Sequence, residues 1–386
     1  MLGSLIIAIL SGVCLGTITG LIPGIHTNLV AIVFGTSLST LFGGVVSAVT
    51  LLSMGVTHTV TSILPNVYLG VCEGDDAVNV LPSHRLVKEG RGGDAVLANV
   101  FGGLIAASIG ALYFSAATFI VSTGYGMVSS LIPVLLAAAL VYLVWRCQTV
   151  LIGVLIVCLT GGLGWTVLNS ALDHALFPLL SGLFGVPLLV ASDAGRLPGE
   201  QSMNSVPLSC GRAGLIGSCL GFLTSVLPGV GSGVAASLGV SQVSDEPVLY
   251  LSMTGAVDTA DFYLSLATLW AAGKARNGVV VVLNDVMRTV SIPVLVVVGV
   301  VSVGLAALLT VRLDRIVRSV FDLVPYTLVT RLVVGCLFVV CAFLTGFRGV
   351  TVMVVASFLG YLVHRLGEPK IVMMACIIAP VFFFLI

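Results

Sequence analysis

Long apolar runs follow one another along this chain, at 96–121, 131–144, 279–309 and 371–386, with short polar connectors between them. About 20 apolar residues in a helix cross the hydrocarbon core of a bilayer, so these runs predict membrane helices. The polar–apolar alternation of a membrane barrel is missing from the sequence, which leaves an all-α polytopic membrane protein. The opening stretch MLGSLIIAIL carries no Lys or Arg and no convincing cleavage site. It reads as a retained membrane segment and not as a signal peptide.

Two apolar stretches are interrupted in the same way, GTITGLIPGIHTNLVA at 16–31 and GFLTSVLPGVGSGVAA at 221–236. Further landmarks recur in the same order. Met54, Gly55, His58 and Thr59 answer to Gly255, Asp258 and Thr259, and Gly90 with Arg91 answers to Gly273 with Lys274. LTGGLGWTV from Leu159 answers to LTGFRGVTV from Leu344, and GVPLLV from Gly185 answers to IAPVFFF from Ile378. This order predicts two homologous transmembrane halves, 1–192 and 211–386, joined by a polar cytoplasmic linker at 193–210.

Charge placement orients the halves. Arg85, Lys88, Arg91 and Arg146 lie in first-half connectors, but the connectors at 122–127 and 169–174 carry no Lys or Arg. Their second-half counterparts do carry them, as Arg312, Arg315 and Arg318 and as Arg365 and Lys370. Basic connectors favour the cytoplasm, so both patterns fit one membrane only if the second half is inverted, with about five crossings per half. Lys274, Arg276 and Arg331 are exceptions to that pattern.

Proline removes a backbone donor and glycine tolerates positive φ, so the Pro-Gly pairs should interrupt their helices. Inside a bilayer the freed backbone groups need protein, water or a ligand, and a restarting helix presents N–H groups suited to an anion. The substrate-binding candidates are therefore Pro23, Gly24, His26, Thr27 and Asn28 in the first copy, Pro228, Gly229, Gly231 and Ser232 in the second, and the cation Lys274. For an isolated Pro-Gly a plain kink would be the better reading; recurrence in both halves favours paired breaks at a transport site. Asp258 and Asp261 share a helical face, and His58, Thr59 and Thr259 complete a set of candidates for a coupling cation, sodium or a proton. An inert polar seam is the alternative for that set. Glu73, Asp75 and Asp76 fall in a stretch of the first half without counterpart, readable as a gate or as a polar excursion.

Composition supports this class and removes others. Hydrophobic residues make up 58% of the chain and charged residues 8%, far below the roughly 25% charged of soluble domains. The 16 basic and 16 acidic side chains balance, so no nucleic-acid surface is implied. Nine cysteines are scattered through apolar runs without CxxC or Cys/His ligand spacing, and no metal or other cofactor is expected beyond the coupling ion. No nucleotide loop or nucleophile elbow stands in a plausible context, so no catalytic residue is assigned and an enzyme is disfavoured.

The Pro-Gly pairs, LPNVYLGVCEGDDAVNVLPSHRLVKEGRGGDAV, and GAVDTAD followed by GKARNG together resemble the large TctA-type membrane subunit of tripartite tricarboxylate transporters. GLIPGIHTN is most similar to the shorter archaeal proteins grouped with that family. The resemblance implies a multi-pass permease of the cell membrane moving a small organic anion such as a carboxylate, with a small membrane subunit and a binding protein as partners. A polyprenyl-phosphate translocase, whose cargo is a lipid phosphate, and a non-transporting membrane scaffold are the competing function classes.

Overall fold

The computed structural model describes residues 2–22, 30–31, 40–69, 80–191, 200–226, 235–236, 239, 246–273, 277–286, 290–323 and 326–385. All regular structure among these residues is helical. The first half contributes α1 (Leu2–Leu21), α2 (Gly44–Thr61), α3 (Ile63–Leu69), α4 (Val80–Lys88), α5 (Gly92–Trp145) and α6 (Val150–Leu168). It ends with α7 (Leu176–Leu180), a π-helical turn (Ser181–Gly185) and α8 (Val186–Ala191). The second half contributes α9 (Ser209–Val226), α10 (Pro247–Ala272), α11 (Gly278–Val286), α12 (Ile292–Leu323), α13 (Tyr326–Arg365), a 3-10 turn (Lys370–Met374) and α14 (Ala375–Leu385).

Six helical segments are long and apolar enough to cross a membrane: Leu2–Leu21, Gly44–Tyr68, Gly92–Gly126, Val150–Leu168, Ile292–Ser319 and Thr330–Arg365. The protein is a multi-pass membrane protein. α10 has the length but not the hydropathy, because Ser252, Thr254, Asp258, Thr259, Asp261, Ser265 and Thr268 punctuate it.

The helices pack as two bundles, each drawing on both sides of the linker. One core gathers α1 to α4, the first part of α5, and α9 to α12. The other gathers the second part of α5, α6, the α7–α8 region, α13 and α14. In the first bundle α2 and α10 are central: 78% of the Gly44–Tyr68 window is buried, against 17% of the window in α13. Each central helix is tied to the long helix of the other half. Ser302 of α12 donates to Ser53 of α2 at 2.9 Å, and the Asn99 amide of α5 donates to the Leu251 carbonyl of α10 at 3.3 Å.

Small residues set the register, as they do where membrane helices approach closely. A β-carbon on Gly16 of α1 would overlap the Met54 carbonyl of α2, and one on Gly221 of α9 would meet Ala260 and the Val257 carbonyl of α10. The second bundle repeats the device. Gly164 of α6 lies against the Cys376 carbonyl, and Gly360 of α13 against the Leu183 carbonyl. Gly153 and Gly349, equally spaced before those two, each sit tight against the turn preceding their helix, at Cys147 and Thr345.

α13 is not one straight rod. Gly346, at φ 64° and ψ −164°, breaks it into two arms. The second arm runs antiparallel to α6. Gln148, just before α6, donates from its backbone to Glu368 at 3.0 Å and from its amide to the Gly367 carbonyl at 3.1 Å, while the far end of α6 borders residues 348–355.

These packing equivalences correct three sequence expectations. Gly164 answers to Gly360 and Gly153 to Gly349, so LTGGLGWTV and LTGFRGVTV are out of register; their likeness reflects shared composition, not shared position. Pro187 and Pro380 do correspond, since Leu183 and Cys376, four residues before each, play the same part. Gly90 and Gly273 both adopt positive φ, yet Gly90 ends α4 directly before α5 whereas α11 stands between Gly273 and α12. The connector expected at 122–127 is helical, inside the 54-residue α5. Gly124 and Gly126 weaken a helix only modestly, and inside a bilayer unpaired backbone costs more than a glycine does.

The described linker residues from 201 onward are strapped across both halves. The Gln201 side chain accepts from Gly92 N at 2.8 Å and donates to the Val87 carbonyl at 3.2 Å; Asn204 N donates to Asp94 at 2.7 Å. On the other side Arg318 donates to the Gln201 carbonyl and pairs with the fully buried Asp314 at 2.6 Å. Asp314 also accepts from Tyr68 at 2.6 Å. Arg91 pairs with Asp94 at 3.0 Å, consistent with a structural connector charge.

Candidate functional site

The Pro-Gly residues Pro23, Gly24, His26, Thr27, Asn28, Pro228, Gly229, Gly231 and Ser232 lie outside the described residues, as do Lys274, Glu73, Asp75 and Asp76. The helices that lead into them are described. α1 carries Thr19 one turn before Pro23, and α9 carries Thr224 one turn before Pro228.

Both threonines hold an ionisable side chain of the adjacent central helix. Thr19 Oγ1 lies 3.1 Å from His58 Nδ1, and Thr224 Oγ1 donates to Asp261 Oδ1 at 2.8 Å. Each hydroxyl also reaches the carbonyl one turn back, Gly16 at 3.1 Å and Gly221 at 2.9 Å. When the Thr19 proton is directed to Gly16, His58 must carry its hydrogen on Nδ1 to complete the bond. Thr224 faces a carboxyl oxygen of Asp261 instead, and its one proton is shared between that oxygen and the Gly221 carbonyl. The two pairs thus share one arrangement, a threonine hydroxyl beside an imidazole in one and beside a carboxyl group in the other.

The close approach of Gly16 and Gly221 to the central helices is what brings these pairs together. It also makes Asp261, not Asp258, the counterpart of His58. The central helices meet where Gly55 faces the ring of Phe262, with a β-carbon position 2.7 Å from the ring. His58 lies one turn beyond Gly55 and Asp261 beside Phe262, so both pairs lie near this crossing.

The remaining candidates occupy the same two helices. Thr59 is half-buried and donates to the Gly55 carbonyl at 3.0 Å; Asp258 is half-buried. Thr259 is 3% exposed and its hydroxyl, like that of Thr57, has no hydrogen-bond partner among the described residues. Buried hydroxyls normally find partners, so this seam has polar capacity left over. No group of three or more His, Cys, Asp or Glu residues suited to a metal occurs among the described residues. Thr19 and Thr224 were missed by the sequence reading. Their signal was present in the shared string G-x-x-T-x-x-x-P-G, at 16–24 and 221–229.

Paired polar residues on helices that each lead into a Pro-Gly string fit the pattern of a transporter site. The family model of the tripartite tricarboxylate transporter TctA family matches residues 6–375. The chain belongs to the TctA family. It is therefore the membrane component of a transporter and not an enzyme, in a system with partner subunits and an anionic substrate. An uncharacterized protein of Methanocaldococcus jannaschii is 30% identical over 280 residues, covering 69% of each chain. No solved structure matches this TctA-family protein.

Proposed function

We propose that this TctA-family protein is a cation-coupled permease for a small carboxylate, held between the two Pro-Gly interruptions, with His58 and Asp261 as the ionisable groups of one site. The observation that carries this reading is the repetition of Thr19–His58 by Thr224–Asp261, each one turn before a Pro-Gly pair. Here the two halves divide labour: His58 and its neighbours serve the substrate, and Asp261 with Asp258 and Thr259 serve the coupling ion, sodium or a proton.

An inverted relation of 1–192 and 211–386 belongs to the same proposal. It is supported by α6 and the second arm of α13, which share a glycine register yet run antiparallel. Inversion lets one site face either side of the membrane by rocking, as alternating access requires.

The test is uptake of radiolabelled di- and tricarboxylates by proteoliposomes, with and without a sodium or proton gradient. Gradient-dependent uptake of one of them, lost in Asp261→Asn, is expected. Uptake that ignores both gradients, or that Asp261→Asn leaves intact, contradicts the assignment.

A further inference from the structure

The antiparallel pair formed by α6 and the second arm of α13 is closed at one end and open at the other. At the closed end Gln148 bonds to Gly367 and Glu368, next to Arg146, Arg365 and Lys370. At the open end the helices border a cavity of about 310 Å³. Leu163, Val352 and Val355 form an apolar wall, Ser170 and Thr351 add hydroxyls, and Arg348 supplies a charge.

Depth follows from length. The arm from Gly346 to Arg365 is about 28 Å long at 1.5 Å per residue, one bilayer core, so Arg348 at its start lies at the edge of the hydrocarbon layer. Trp165, 44% exposed, lies near the same end of α6 and packs edge-on against Phe383 with centroids 6.0 Å apart. Amphipathic tryptophans favour that level of a membrane.

Arg348 is exposed and has no ion-pair partner among the described residues; Asp173, in the loop after α6, makes none with it. A guanidinium at this depth needs an anion or water to compensate it. The two hydroxyls spend their protons on their own helices, Ser170 on the Val167 carbonyl at 2.6 Å and Thr351 on the Phe347 carbonyl at 3.0 Å. They present lone pairs to the cavity and suit a ligand that donates.

We infer that this crevice binds an anionic glycerophospholipid with a hydroxylated headgroup. Its phosphate pairs with Arg348, its headgroup hydroxyls donate to Ser170 and Thr351, and an acyl chain lies along Leu163, Val352 and Val355. The site is separate from the polar pairs of the first bundle, and its occupant is a component of the membrane.

The experiment is thermal unfolding of the detergent-purified full chain titrated with dioleoyl phosphatidylglycerol, dioleoyl phosphatidylcholine or inorganic phosphate. Phosphatidylglycerol should raise Tm in a dose-dependent way, and the other two should not. Arg348→Gln should weaken the apparent Kd for phosphatidylglycerol about tenfold, the loss of one charged hydrogen bond. Val355→Trp, which fills the crevice and keeps the charge, should produce a similar loss. Equal stabilisation by phosphatidylcholine or by inorganic phosphate, or a full response in either folded variant, overturns the proposal.

Discussion

In the bundle around α2 and α10 the buried groups include Thr19, Thr50, Ser53, Thr57, His58, Thr61, Asn99, Thr224, Ser252, Thr254, Thr259 and Ser265. In the bundle around α6, α13 and α14 the described buried polar residues within the spans are Thr160 and Thr330. Both bundles use glycines pressed against a facing carbonyl to fix helix register. The difference lies in what that close packing carries. In one it positions ionisable side chains beside Thr19 and Thr224; in the other it joins apolar helices and leaves a crevice at one end. The proposed transport chemistry belongs to the first bundle.

Substitutions should separate the two. Asp261→Asn and His58→Gln are each expected to lower the transport rate about 100-fold, the equivalent of a charged hydrogen bond of about 3 kcal/mol, with folding retained. Proteoliposome uptake measures this, and normal uptake by both variants would remove the functional distinction between the bundles. The linker strap is structural and should respond differently. Asp314→Ala strips the partner from Arg318 and the acceptor from Tyr68, and should cost about 3–5 kcal/mol of stability in denaturant unfolding.

In the second bundle, Gly164→Leu or Gly360→Leu forces a side chain into a carbonyl contact and should cost about 1–3 kcal/mol while uptake per folded molecule stays normal. A loss of substrate affinity in these variants would show that the bundles are not functionally separate. Thr19→Val and Thr224→Val should have smaller effects, about 1 kcal/mol each on stability, because each removes one hydrogen bond and leaves the ionisable side chain in place. The smallest effect is expected at the closed end of the second bundle. Burial, with the Glu368 carboxylate nearby, raises the Cys147 thiol to about 11, so iodoacetamide should modify it slowly near pH 8 and faster only as the pH approaches that value.

Much of this contrast was legible in the chain. The all-α membrane class followed from long apolar runs, and the paired Pro-Gly strings follow directly on α1 and α9, which carry Thr19 and Thr224. The aligned threonines of G-x-x-T-x-x-x-P-G were visible too, but a threonine in an apolar helix bonds its own backbone as readily as another helix. Only the approach of Gly16 and Gly221 to the central helices shows that Thr19 and Thr224 do both. The same fact explains why Asp258 looked like the counterpart of His58. Local spelling aligned Gly55 with Gly255, whereas the register is set by which residue faces the glycine of the neighbouring helix. LTGGLGWTV misled for a related reason, since small-residue strings recur wherever membrane helices pack closely. Nothing local marked 122–127 as helical or joined Arg348 to the end of α6, because both depend on pairing and packing over distance.

The central claim of the proposed mechanism is that His58, on the substrate side, and Asp261, on the side of the coupling ion, serve one transport site. A double-mutant cycle on carboxylate affinity tests it most directly, with ligand-dependent thermal shift measured for the wild type, His58→Gln, Asp261→Asn and the double variant. The account predicts a coupling energy of at least about 0.5 kcal/mol, the double variant binding differently from the sum of the two singles. Additive effects within about 0.3 kcal/mol would mean two independent sites, and would contradict it.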